Sequence, residues 1–235
     1  MPLPDITGVP SIAAEMEERL RGLPRTSMAT VRVVRKEYSS RLSNAPAFVL
    51  REVAALLLYQ PGLKFRVFAY ELLGCRQDAL FSLHPADLSE LGAGIDSRGS
   101  ADAFALAIVS PLWRERRIPD EVFCGWAQSG CRWWKRITVV SAISLVGRDT
   151  KEPKLDVRSL RILKTALADR HSDVVTGVVS ALRPLLRSNF DGVRRLLEGL
   201  EVANHPALRH VHRRRQAEEF DEASEPGEPI LANTA

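Results

Sequence analysis

The sequence predicts an all-α protein built as an α-α superhelix, and the prediction depends on two observations. Apolar residues recur at spacings of three and four along most of the chain, which is the helical period, whereas alternation at a period of two is hardly seen. Prolines stand near the starts of the apolar segments, where a missing N–H costs nothing. The predicted helices are 11–22, 26–43, 46–59, 61–74, 76–81, 85–91, 99–116, 119–129, 131–147, 155–169, 171–187, 190–200 and 204–215.

An internal repeat specifies the kind of superhelix. The sequence VVSAI at residues 139–143 returns 39 residues later as VVSAL at residues 178–182. Each copy lies in a predicted helix that follows a shorter helix and a tight connection. A period of about 35 to 40 residues with two helices per unit is typical of HEAT-like repeats, whose units must stack to bury their apolar faces.

Composition excludes several classes of protein. Apolar residues make up 45% of the chain, but no run of about 18 apolar residues exists, so we expect no membrane contact. The first residues lack the basic and apolar regions of a secretory signal, and we expect a cytoplasmic location. The three cysteines form no CxxC pair and are expected to be small buried thiols. Motifs for nucleotides or metals are missing, so we expect no cofactor, and we expect a monomer.

Charge is distributed unevenly along the chain. Residues 216–235 contain six acidic residues and neither Lys nor Arg, so they contribute −6 to the overall net charge of +4. Residues 1–215 therefore carry a net charge of +10. We therefore predict a HEAT-like repeat domain at residues 1–215 and an acidic disordered tail at residues 216–235. The excess favours a polyanionic partner, although a generally Arg-rich composition would also produce it.

Arg136 stands on the same helical stripe as the apolar residues Val139, Val140 and Ile143. A buried charge without a partner is costly, so this arginine needs an anion. The sequence leaves two alternatives open, namely a structural ion pair and an anionic ligand in a groove.

Several segments together resemble the DNA alkylation repair proteins, the HEAT-like repeat DNA glycosylases. The strongest is WAQSGCRWWKR at residues 126–136, where a Trp ends one helix, another opens the next and a basic pair follows. Further resemblance lies at residues 64–73, 100–103 and 179–183, and the whole covers roughly residues 26 to 200.

The resemblance implies a basic groove that holds double-stranded DNA and an activity that releases N3- or N7-alkylated purines. The catalytic carboxylate of the family matches Asp102, its groove arginine matches Arg136, and a further basic position matches Arg183. Two indoles that hold the cationic base in the family's enzymes are replaced here, by Arg98 and by Ser180.

The sequence therefore predicts a DNA-binding protein and leaves open whether it is an enzyme. The alternatives are a non-catalytic binder of damaged or branched DNA and a HEAT scaffold for a protein partner. Asp102 is the candidate catalytic residue. The candidate DNA contacts are Arg98, Trp133, Lys135, Arg136, Arg148 and Arg183.

Overall fold

The computed structural model describes residues 8–23, 27–145, 153–188 and 190–197, and all regular structure in these ranges is helical. The prediction of an all-α superhelix is confirmed. The predicted helix 204–215 and the predicted tail 216–235 lie outside the described residues. The helices are α1 (Val9–Arg21), α2 (Met28–Arg41), α3 (Ala47–Leu58), α4 (Leu63–Gly74), α5 (Gln77–Phe81), α6 (Pro85–Leu91), α7 (Arg98–Phe104), α8 (Ser110–Arg114), α9 (Asp120–Gln128), α10 (Arg132–Ser141), α11 (Pro153–Ala166), α12 (Ser172–Ser188) and α13 (Phe190–Leu197).

The helices form two layers, as expected for stacked helix pairs. In layer B, helix α2 packs against α4, α4 against α7, α7 against α10, and α10 against α12. In layer A, α1 packs against α3, α9 against α11, and α11 against α13. Large apolar side chains such as Leu50, Phe68 and Phe104 are fully buried between the layers, because neither layer could cover its apolar face alone.

The predicted helix 99–116 is interrupted by a π-helical segment, Ala105–Val109, which joins α7 to α8. Pro111 lies just beyond this segment. A proline has no N–H to donate to the carbonyl four residues earlier, and its ring clashes with that carbonyl. That carbonyl belongs to Ala107 and lies against Gly74 of α4, where an added Cβ would come within 2.3 Å of the Ala107 oxygen. Gly74 therefore allows α4 and the interrupted helix to pack closely.

Helix α10 is shorter than the predicted 131–147, since a 3-10 segment, Ala142–Leu145, follows Ser141. In layer B, helix α12 packs closely against α10 at Gly177, where an added Cβ would lie 2.7 Å from a methyl of Val139. This approach brings the first turns of α12 beside the polar residues of α10.

The prediction that the cysteines are buried is wrong for two of them. Cys75 and Cys131 are exposed and Cys124 is partly buried. The two exposed thiols stand where helices end and begin, at the residue after α4 and the residue before α10, and such boundaries lie at the surface. Among the described residues, no helix is long and apolar enough to cross a membrane.

Candidate functional site

Arg136 and Asp102 form a bidentate ion pair between α10 and α7. The Nε of Arg136 donates to Oδ1 of Asp102 at 2.8 Å, and Nη2 donates to Oδ2 at 2.7 Å. The arginine side chain is only 7% exposed, whereas 35% of the aspartate side chain is exposed. The arginine in the apolar stripe therefore has the carboxylate partner that its burial requires.

The third nitrogen of the Arg136 guanidinium bonds to α12. Nη1 donates to the backbone oxygen of Asp173 at 2.6 Å and to Oγ1 of Thr176 at 3.0 Å. Because each guanidinium nitrogen has at least one acceptor, Arg136 is fixed between three consecutive layer B helices. This geometry suits an arginine that orients Asp102 more than one that is available to a phosphate.

The carboxylate of Asp173 attracts cationic side chains from two other helices. Nε of Arg98 donates to Oδ1 of Asp173, and Nε of Arg132 lies 3.7 Å from Oδ2. Just before α12, Nδ1 of His171 accepts a hydrogen bond from the backbone N–H of Asp173 at 3.2 Å. The hydrogen bond from Arg98 is the main reason why the pKa of Asp173 lies below its ordinary value, and burial opposes it. Asp173 is buried, whereas Arg98 and Arg132 are each about half exposed.

Lys135 belongs to the same network. Its Nζ donates to Oδ2 of Asp169 at 2.8 Å. Burial alone would raise the pKa of Asp169, but the hydrogen bonds from Lys135 and from the backbone N–H of His171 lower it further, so the net shift is downward. Lys135 thus holds the first turn of α10 to the turn that precedes α12.

The described face of layer B is a mixed network of charges. Its cations are Arg98, Arg132, Lys135 and Arg136, and its carboxylates are Asp102, Asp169 and Asp173. Trp133 is partly buried, and Arg183 is exposed on α12. The guanidinium of Arg132 lies 4.6 Å from the ring centroid of Trp133. Arg148 lies outside the described residues.

A cleft opens beside Asp102 between α2, α4 and the α7 segment. Its volume is about 450 Å³. Most of the side chains along it are aliphatic, and the described lining contains no aromatic ring. It is lined by Met28, Arg32, Leu63, Val67, Glu71, Gly99, Asp102, Ala103, Leu106 and Ala107. The exposed part of the Asp102 carboxylate therefore borders a largely apolar space.

A family model described as DNA alkylation repair enzyme matches residues 14–219, which is most of the chain. The chain belongs to this family. Comparisons with curated proteins and with solved structures gave no significant match. The matched range includes both Asp102 and Arg136. The ion pair therefore lies within the part of the chain that shows the family membership.

Two positions carry polar residues where the family resemblance leads us to expect the indole of a tryptophan. Arg98 stands one helical turn before Asp102 and pairs with Asp173. Ser180 is exposed, and its hydroxyl donates to the backbone oxygen of Thr176 at 2.9 Å. Neither position offers a ring on which a cationic base could stack.

Sequence reasoning named Asp102 and Arg136 as site residues but missed Asp169, His171, Asp173 and Thr176. A signal for them exists in the repeat period. Asp102 and Arg136 are separated by 34 residues, as are Lys135 and Asp169, and Arg136 reaches Asp173 over 37 residues. Since equivalent helices of neighbouring repeats pack side by side, opposite charges one period apart predict ion pairs.

Proposed function

We propose that this member of the DNA alkylation repair enzyme family binds duplex DNA with the face of layer B and releases N3- or N7-alkylated purines slowly, with Asp102 as the catalytic carboxylate. One observation carries the proposal. Asp102 is held in one orientation by two hydrogen bonds from a buried arginine, while a third of its side chain remains exposed toward a cleft.

The chemistry needs a fixed negative charge beside the sugar. When the bond between C1′ and the base nitrogen breaks, the electron pair leaves with the alkylated purine, which thereby loses its positive charge. The sugar becomes an oxocarbenium-like cation, which the Asp102 carboxylate stabilises. Water then adds to C1′ and releases a proton, so the products are the free base and an abasic site. Arg136 acts as a positioning residue, because it contacts Asp102 and is itself buried.

The expected rate is low because the described part of the site lacks an aromatic surface on which a cationic base could stack. Arg98 places a guanidinium one turn from Asp102, and like charges repel. The residues along the cleft are aliphatic or charged, with Arg32 among them, and none is aromatic, so cation–π stabilisation is missing from the described lining.

DNA binding is supported by the exposed cations of the same face. Arg98 and Arg132 are about half exposed and share the single buried carboxylate of Asp173. Because Asp173 has two arginine partners, one guanidinium can turn toward a phosphate while the other stays beside the buried carboxylate. Residues 1–215 also carry a net charge of +10 once the six acidic residues of 216–235 are set apart.

A second candidate is a binder of damaged or branched DNA that performs no excision. The observation that favours it is the saturation of Arg136 by Asp102, Asp173 and Thr176, which is the pattern of a structural crosslink between helices. In this case the charged network shapes the DNA-binding face and Asp102 has no chemical role.

One experiment separates the candidates. Randomly methylated duplex DNA is incubated with the wild type, with Asp102→Asn and with the control Asp191→Asn, which changes an exposed carboxylate on α13. Released bases are quantified, duplex binding is measured in parallel, and each variant is used below its melting temperature. We expect slow release by the wild type and the control, and none by Asp102→Asn, with duplex binding retained by all three proteins.

The other outcomes are equally informative. Duplex binding without any release by the wild type would favour the non-catalytic binder. Release that is unaffected by Asp102→Asn would contradict the proposed role of the carboxylate. Fast release of 7-methylguanine by the wild type would contradict the expected low rate, and would direct attention to the rings of Trp133 and Trp134.

A further inference from the structure

The charged face of layer B has one positive charge that no described carboxylate balances. Two ion pairs of this face each combine one cation with one carboxylate and are neutral. In the third cluster, Arg98 and Arg132 both lie beside the single carboxylate of Asp173. His171 lies next to them and brings no negative charge. This cluster therefore keeps an excess positive charge that a bound anion would balance.

The two arginines of this cluster are held differently. Arg132 lies 3.7 Å from a carboxylate oxygen of Asp173 and 3.3 Å from Nε2 of His171. Its guanidinium also lies 4.6 Å from the ring centroid of Trp133. Arg98 donates through Nε alone, and its two terminal nitrogens bond to none of the described residues. Since 53% of its side chain is exposed, Arg98 presents a free fork of N–H groups that suits a carboxylate.

Arg98 shares one side of α7 with the carboxylate that we propose for catalysis. Arg98 and Asp102 are four residues apart on this helix, so their Cβ atoms are separated by about 6 Å. The side chain of Asp102 bonds to α10, and that of Arg98 bonds to α12, which packs against the far side of α10. A nucleotide whose sugar lies beside Asp102 therefore has its base within reach of the Arg98 guanidinium.

An alkylated purine can itself supply the missing anion. The N7 atom faces the major groove and N3 faces the minor groove, so a substituent on either atom projects from a base that remains stacked. In a carboxymethyl group, the carboxyl carbon lies two bonds beyond the alkylated nitrogen, which extends the lesion by a length comparable with the pitch of one helical turn, about 5 Å. The purine ring keeps its positive charge, and the substituent adds a negative one.

We propose that Arg98 selects N3- or N7-alkylated purines whose alkyl group carries a carboxylate, of which the carboxymethyl purines are the simplest. The inference rests on the proposed function, because it requires Asp102 to lie beside the sugar of the same nucleotide. The terminal nitrogens of Arg98 bind the carboxylate, while Nε keeps its hydrogen bond to Asp173. When the alkyl group is a methyl, the guanidinium faces only the positive charge of the ring, and the two repel each other.

The carboxylate takes no part in the bond that breaks. The electron pair of the bond between C1′ and the base nitrogen leaves with the purine, whose ring becomes neutral while its carboxylate keeps the negative charge. Water adds to C1′ and releases a proton, as with any other alkylated purine. Because Arg98 binds the carboxylate equally before and after the bond breaks, it changes the affinity for the lesion and leaves the rate of cleavage in the complex the same.

The test uses two duplexes of one sequence, with a single 7-carboxymethylguanine in the first and a single 7-carbamoylmethylguanine in the second. The two substituents have the same shape and differ in charge alone. Release is measured with protein in excess at a series of protein concentrations, and spontaneous release is subtracted. We expect the carboxymethyl duplex to need about fivefold less protein for half-maximal release, the upper range for one exposed ion pair, with equal maximal rates.

Variants at Arg98 and at two other arginines assign the preference. Arg98→Gln should abolish it, and Arg98→Lys should keep part of it because the charge remains. Arg132→Gln removes the other half-exposed arginine beside Asp173, and it should raise the protein requirement of both duplexes by the same factor. Arg161→Gln, at an exposed position of α11, should leave both duplexes unchanged. Each variant is judged by the ratio between two duplexes, so a loss of folded protein affects both alike.

Anisotropy of a dye on each duplex gives the same ratio without base release, so the failures of the two proposals are distinguishable. If neither guanine is released but the carboxymethyl duplex binds more tightly through Arg98, the proposed excision is wrong and the recognition of the anionic lesion is supported. If both duplexes need equal amounts of protein, or if Arg98→Gln shifts both equally, Arg98 binds only backbone phosphates and this inference is overturned. If neither duplex binds, both proposals are wrong.

Discussion

Arg136 and Asp102 share two hydrogen bonds but are unequally buried, with 7% of the arginine side chain exposed against 35% of the aspartate side chain. The asymmetry decides which partner the fold can lose more easily. A carboxylate left alone at this position can be hydrated through its exposed edge, whereas a guanidinium left alone is enclosed between α7, α10 and α12.

The first prediction concerns this pair. Asp102→Asn should lower the free energy of unfolding by about 3 kcal/mol, because it strands a buried cation. Arg136→Met should cost only about 1–2 kcal/mol, because it removes hydrogen bonds to a charged group but leaves that group in reach of water. Urea denaturation measures both values. A larger loss for Arg136→Met would contradict the argument, and a loss below about 1 kcal/mol for Asp102→Asn would show that the pair is not structural.

The second prediction concerns phosphate contacts. Arg98→Gln and Arg132→Gln should each weaken duplex binding and reduce the slope of log affinity against log salt by about 0.9, the change for one lost phosphate contact. The control is Arg161→Gln, an exposed arginine on α11 of layer A. Titrations at several salt concentrations give the slopes. A wild-type affinity that does not depend on salt would rule out binding through phosphates.

The third prediction concerns the close approach of α12 to α10. Gly177→Ala should destabilise the protein by about 1–3 kcal/mol, the cost of overpacking, since the new methyl would lie 2.7 Å from Val139. Gly125→Ala on α9 is the matched control, because nothing lies within 4 Å of its added Cβ. It should stabilise the protein by up to about 1 kcal/mol through helix propensity. Equal effects of the two substitutions on thermal unfolding would contradict the assigned packing.

The fourth prediction concerns the stability of the protein at acidic pH. Asp120 is the acceptor of hydrogen bonds from Arg158 and Trp113. Burial acts to raise the pKa of Asp120, but these bonds lower it further, so its pKa falls below the ordinary 3.8. The pKa values of Asp169 and Asp173 are lowered as well. A carboxyl with a lowered pKa contributes stability above its unfolded pKa and loses it as the pH falls through the folded value.

Stability should therefore be constant down to a pH of about 4 and should decline below it, as these carboxylates are protonated. Arg158→Met should make the decline less steep, because the pKa of Asp120 would return toward its ordinary value. Arg161→Met on the same helix serves as the control. Urea midpoints measured between neutral and acidic pH provide the comparison, and an acid profile of Arg158→Met identical to the wild type would contradict the assignment.

The fifth prediction concerns residues 216–235, which carry six acidic residues and neither Lys nor Arg. Their removal should tighten duplex binding at low salt, because a tethered polyanion competes with DNA for the same cations. The effect should fade as salt screens both interactions. Weaker binding after truncation would show that the acidic segment does not compete with DNA.

The sequence by itself determined the helical class, the repeat and the need of Arg136 for an anionic partner. Periodicity is local, and a charged residue on the apolar stripe beside Val139 requires an anion wherever the helix packs. The family resemblance named Asp102 as the catalytic carboxylate, and the structure shows that this carboxylate is the anion bonded to Arg136. These features follow from residues within one or two helical turns, or from a motif already known.

The tertiary structure alone decided which other residues join the site. Asp173 and Thr176 reach Arg136 only because Gly177 lets α12 approach α10, and one period of 34 to 40 residues separates the partners. The cleft likewise depends on packing, since α2, α4 and the α7 segment line it together and Gly74 of α4 allows a close contact with the carbonyl of Ala107. Contacts between neighbouring repeats depend on the angle and distance of packing, which no single helix encodes.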